Sequence, residues 1–141
     1  MSKAKERFLK NAKRELVNKK PIPLYEKAWE KSLKIRNAVY VIWENKNPCY
    51  VGETCNLIER AGDLHRIDNH TFRNKISKLF PHKKGKALTD FMAKKYKISY
   101  LPVSYGRKEL EEYLILGWVK KYKLLNKPIK RATATYMEYL K

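Results

Sequence analysis

Two short apolar runs constrain this chain more than anything else in it. Val39-Tyr40-Val41-Ile42-Trp43 is β-branched and aromatic, and Cys49-Tyr50-Val51 follows after the polar Glu44-Asn45-Lys46-Asn47-Pro48. By propensity and length these read as a hairpin with a five-residue turn. Alternation puts Tyr40 with Ile42 on one face and Tyr50 with Gly52 on one face; both tyrosines share a side if the register allows it. Asn56 then opens a helix over 56–64 as its N-cap, with Glu59 three residues later as capping-box partner. Arg60 falls in its first turn, so Tyr40, Tyr50 and Arg60 stand ten residues apart. An isolated arginine of this kind is ordinarily a solvated surface charge, and a strand tyrosine is ordinarily packing. Their ordered succession favours a site for an anionic substrate.

The remaining pattern surrounds that hairpin with helices. Residues 3–20 form a basic amphipathic helix with Phe8, Ala12 and Leu16 recurring every four residues, stopped by Pro21-Ile22-Pro23. A short helical segment spans Leu24 to Leu33. Phe72, Ile76, Leu79 and Phe80 mark another helix, ended by Pro81, and Leu88 to Tyr96 one more. Residues 98–103 read as a third strand, whose Pro102 argues for an edge position or for pairing that stops there. A long helix runs from Lys108 to Leu124. The expected fold is α/β in the broad sense (α+β): a small, largely antiparallel three-stranded sheet flanked by helices. Residues 1–36 form a basic helical extension, 37–128 the core, and 129–141 a tail that packs on it.

Charge selects the partner. Lys and Arg number 33 against 14 Asp and Glu, a formal net charge of +19 on 141 residues. That excess attracts polyanions, nucleic acid first. A membrane is the poorer partner, since no apolar run approaches the roughly 20 residues that span a bilayer. No signal peptide is legible at Met1-Ser2-Lys3, which with two reduced structural thiols, Cys49 and Cys55, points to a cytoplasmic chain. A zinc site completed by His65 or His70 is the minor alternative for the cysteines.

Phosphodiester hydrolysis needs a base for water, positive charge for the transition state and usually a metal held by hard oxygen ligands. A phenol acts as base only if nearby cations lower its pKa from about 10, and Arg60, His65 and Arg66 lie close to the hairpin in sequence. Among Glu109, Glu111 and Glu112, helical periodicity lines Glu111 up with Leu114, Ile115, Trp118 and Tyr122, inside the apolar stripe. A carboxylate there is expensive unless paired or metal-bound. Glu109 and Glu112 are read as dipole-complementing surface charges.

With these residues in place, the chain resembles the GIY-YIG nuclease family over roughly residues 37–128. Ala38-Val39-Tyr40 stands for the first tripeptide and Tyr50-Val51-Gly52 for the second. Asn56-Leu57 with Arg60 looks like the family's helix and catalytic arginine, Glu111 followed by Leu114-Ile115 like its metal-ligand glutamate, and Asn126 like its terminal asparagine. Ala38 replaces the first glycine, and His65 comes five residues after the arginine rather than four. The resemblance implies a DNA endonuclease using one divalent metal, Mg²⁺ or Mn²⁺. It implies as catalytic residues Tyr40 as the base, Tyr50 as a second active-site phenol, Arg60 as phosphate clamp, and His65, with Glu111 as metal ligand. Arg66, His70, Arg73 and Asn126 are expected on the DNA. Oligomeric state, monomer or homodimer, is left open. The rival reading is a non-catalytic basic nucleic-acid-binding module, using exposed aromatics such as Tyr105 for stacking.

Overall fold

The computed structural model describes residues 3–24, 35–57, 59–60 and 71–126. The segment from Tyr25 to Leu33, the helix beyond Arg60, the side chains of His65, Arg66 and His70, and the tail from Lys130 lie outside the described residues.

Helix α1, Lys3–Asn18, buries Leu9, Ala12 and Leu16. It ends two residues short of the expected boundary, because the residue before Pro21 is disfavoured in helical geometry. Ile22–Pro23 then forms β1, which pairs antiparallel with a later strand through Ile22↔Ile98 and Pro23↔Lys97. The sheet therefore has four strands, not three. Pro21-Ile22-Pro23 reads as a helix stop in one dimension. In space it is a two-residue edge strand, the position where a missing N–H is tolerated.

Strand β2, Ala38–Glu44, is buried along almost its whole length. It turns through Asn45 and Lys46 into β3, Asn47–Thr54. Two residues make the turn rather than five, and Asn45 adopts φ 56°, a left-handed conformation that asparagine accepts. The register slips between Ile42 and Trp43, so that Trp43 faces Pro48 and Cys49 is bulged. A bulge on an edge strand accommodates the proline there.

Helix α2, Thr71–Leu79, and helix α3, Gly85–Lys95, precede β4, Tyr96–Pro102. β4 is interior, lying between β1 and β2 in the order β1-β4-β2-β3, and its pairing stops at Pro102↔Ala38. Helix α4, Arg107–Trp118, follows Gly106, whose φ of 80° makes the turn into it; it is one and a half turns shorter than its periodicity suggests.

The sheet is sandwiched, giving an α+β body. On one face α2 and α3 pack Phe72, Ile76, Leu88 and Met92 against Tyr40, Ile42 and Ile98. On the other, α1 and α4 pack Leu9, Leu16, Leu110 and Leu114 against Val39, Val41 and Val51. A central strand covered on both sides has to be apolar at every position, which is why 39–43 shows no polar alternation. The N-terminal helix and β1 are thus built into the same core and sheet as the hairpin.

Candidate active site

The register decides where the tyrosines go. Tyr40 faces Gly52 and Ile42 faces Tyr50, so both phenols lie on the α2–α3 side with ring centroids 6.4 Å apart. Gly52 is what lets Tyr40 lie down across β3: a Cβ at position 52 would overlap the ring and hydroxyl of Tyr40. Tyr50 packs in turn on Phe72 at 5.5 Å. Tyr40 is 1% exposed and Tyr50 7%, so both rings also serve as core aromatics.

Arg60 is delivered by the helical turn after β3. Asn56 caps it, accepting from the Glu59 N–H at 3.3 Å. The reciprocal half of the capping box is replaced, since the Asn56 N–H donates instead to Thr54 Oγ1 at 3.0 Å. Leu57 is buried and its N–H donates to the Arg36 carbonyl at 2.8 Å, which anchors the turn. From there the Arg60 guanidinium hydrogen-bonds the Tyr40 hydroxyl. An open cleft of about 280 Å³ lies beside it, lined by Glu53, Thr54, Cys55, Asn56, Glu59 and Arg60.

Glu111 reaches the same place from α4. Its carboxyl takes a hydrogen bond from the backbone of Glu53 and interacts electrostatically with both tyrosines. Burial, followed by the Glu53 carboxylate, pushes it from its ordinary 4.5 up to about 7, against the lowering effect of the Glu53 backbone bond. Glu53 is itself held by Arg107, with Nε 3.3 Å from Oε2. Arg107 Nη1 also donates to the Ser104 carbonyl at 2.7 Å, which fixes the first turn of α4 against β3.

Both phenols titrate above their ordinary value, contrary to the expectation that cations would lower them. For Tyr40, burial and then Tyr50 raise the pKa, while Arg60 opposes them by charge and hydrogen bond. For Tyr50 burial again leads, and a hydrogen bond with Thr71 pulls the other way. A single guanidinium does not outweigh the loss of water around a fully covered ring.

Two residues expected on DNA are engaged within the fold. Arg73 is 1% exposed, and its guanidinium donates to Thr89 Oγ1 at 2.9 Å and the Gly85 carbonyl at 3.2 Å. It ties α2 to α3 rather than facing a phosphate. Asn126 acts as a peptide mimic at the outer edge of β3, accepting from the Val51 N–H at 2.9 Å and donating to the Val51 carbonyl at 2.7 Å. Both groups of its amide are engaged in closing an edge, as a further strand would be. His65, Arg66 and His70, expected in the same neighbourhood, are outside the described residues. Glu53, Thr71 and Arg107 were not singled out from the sequence. Only Glu53 carried a signal, as an acidic residue directly after Tyr50-Val51-Gly52 in a chain of strong positive charge.

Cys49 is buried and donates weakly to the Ile42 carbonyl at 3.3 Å, while Cys55 is exposed; both are free thiols. Among the described residues no three His, Cys, Asp or Glu side chains gather as a metal cluster. The Glu111 carboxyl, with the Glu53 carboxylate adding to its cost of ionisation, is nonetheless chemically suited to a hard cation, since Mg²⁺ takes one or two carboxylates and keeps several waters. Among the described residues no helix is long and apolar enough to cross a membrane. A scan of family models and searches of curated proteins and solved structures find no match to this chain.

Proposed function

We propose that the chain is a metal-dependent DNA endonuclease of the GIY-YIG type, hydrolysing phosphodiester bonds at a centre of Tyr40, Tyr50, Arg60 and Glu111. The observation that carries this reading is the convergence on one place of residues far apart in sequence. Arg60 is hydrogen-bonded to Tyr40, and the charges of Arg60 and Glu111 both bear on the two phenols. A pure packing role for the tyrosines leaves a guanidinium and a costly carboxyl at the same spot without a purpose.

Each side chain has a part. Arg60 offers a planar fork of donors matched to two phosphoryl oxygens, strengthened by the partly dry surroundings. Glu111, with Glu53 beside it, would hold the divalent cation. That cation supplies Lewis acidity toward the phosphoryl group. Tyr40 and Tyr50 enter as neutral phenols. A protonated phenol accepts one hydrogen bond and donates another, which would orient a water for in-line attack. As the new P–O bond forms the water's proton passes to solvent, and the opposite P–O ester bond breaks with its oxygen taking up a proton from solvent.

The test is incubation of the purified protein with supercoiled plasmid DNA, with Mg²⁺ or Mn²⁺ and with EDTA. The expected result is nicking or linearisation only with the metal, with mappable 5′ and 3′ ends, lost in Glu111→Gln. Tight DNA binding with no cleavage under any metal leaves the binding module instead.

A further inference from the structure

Outside the tyrosine–arginine–glutamate cluster, the outer surface of α2 and α3 is, with α1, one of two strongly basic faces among the described residues, and it is the one with the fewer carboxylates. Between residues 71 and 97 the chain carries one carboxylate, Asp90. Against it, Lys78, Lys83, Lys84, Lys86 and Lys94 all stand exposed. The lysines are not scattered on a loose loop. Arg73 bonds α2 to Gly85 and Thr89 in the first turn of α3, which sets where the connecting residues emerge. Lys83 Nζ sits 5.2 Å from the ring centroid of Phe91, and Lys95 Nζ 5.1 Å from that of Phe80. These rings hold cations in place. This layer covers the same sheet face as Tyr40 and Tyr50, joined to them through Phe72.

We propose that the α2–α3 surface is a docking face for duplex nucleic acid, gripping phosphates along the backbone without reading bases. Three features select that partner. A duplex presents the densest line of negative charge, one per about 1.7 Å of axis. Single-strand binders depend on open aromatic platforms, whereas Phe80 and Phe91 are half-buried beneath ammonium groups. A membrane site needs an apolar face beside its cations, and Leu79 is the one large apolar side chain standing exposed on the described α2 and α3. The inference concerns grip, not cleavage, and stands whether or not the Tyr40 centre hydrolyses anything.

The experiment is fluorescence anisotropy with a labelled 20-base-pair duplex in EDTA, titrated across salt concentrations. It compares wild type with Lys83→Gln/Lys84→Gln/Lys86→Gln and with Lys3→Gln/Arg7→Gln/Arg14→Gln. The second triple removes equal charge from exposed positions of α1. For the α3-side triple, the slope of log affinity against log salt should shrink by about 2 to 3, at about 0.9 per phosphate contact, with affinity falling roughly tenfold or more. The α1 triple should lose no more than about threefold, through net charge alone. Melting of both is measured alongside; if the first triple melts early, Lys86→Gln/Lys94→Gln replaces it. Equal losses in the two triples overturn the proposal, as does a single strand of the same sequence binding as tightly as the duplex. It is also overturned if the α3-side triple loses binding only to phosphatidylserine vesicles while its grip on the duplex is unchanged.

Discussion

Gly52 lies directly across the β2–β3 ladder from Tyr40, and the space a methyl group would occupy there is filled by the Tyr40 ring. The pair is one unit: the glycine is required because the phenol crosses it. Gly52→Ala should destabilise the protein by about 1–3 kcal/mol through overpacking. In a Tyr40→Ala background the same change should be nearly neutral. Equal melting losses in both backgrounds would show that the two positions are not coupled.

Tyr40→Phe removes a hydroxyl bonded to Arg60 and leaves the ring. It should lower cleavage roughly 10²- to 10³-fold, the size of losing one preorganised hydrogen-bonding group, with little change in melting temperature. Arg60→Lys keeps the charge but loses the fork and should also be badly impaired. Single-turnover rates and melting curves on the same preparations decide this. Full activity in both variants would reduce the two residues to packing and surface charge.

Glu111 predicts a pH signature. Its carboxyl titrates at about 7 in the folded protein, against 4.5 ordinarily, so between those values the folded state holds more protons than the unfolded chain. Stability attributable to this group therefore falls as pH rises through that window, and the penalty is complete above it. Glu111→Gln should melt higher than wild type at pH 8 and about equally at pH 4. Added Mg²⁺ should raise the wild-type melting temperature at pH 8 and leave the variant unmoved. A pH-independent difference between the two proteins contradicts the burial of this charge.

Asn126 predicts a structural effect without a binding one. Asn126→Ala deletes both bonds to Val51 and leaves an edge peptide unpaired, which should cost about 1–3 kcal/mol. Duplex affinity should stay within about twofold of wild type at fixed salt, since no charge is lost. A large drop in affinity with unchanged melting would return Asn126 to the nucleic-acid surface.

The hairpin, the polyanion-seeking charge and the placement of α1, α2, α3 and α4 were legible along the chain, because each rests on local pattern: β-branched runs, helical spacing, a proline after a helix. Glu111 was legible too, as a carboxylate inside an apolar stripe. What one dimension could not carry was pairing. Ile22–Pro23 is a strand only because β4 offers it an edge, and the turn at Asn45–Lys46 is short only because the ladder zips to Asn47. Arg73 and Asn126 read as surface groups by residue type, since nothing in their neighbours reveals that Gly85 and Val51 will present backbone groups to them. The same holds for the titration of Tyr40 and Tyr50. Nearness to cations in sequence suggests a lowered pKa, but desolvation depends on how many layers close over a ring. Local composition determined which elements form; the register of β2 on β3 and the covering of both sheet faces decided which side chains meet, and in what protonation state.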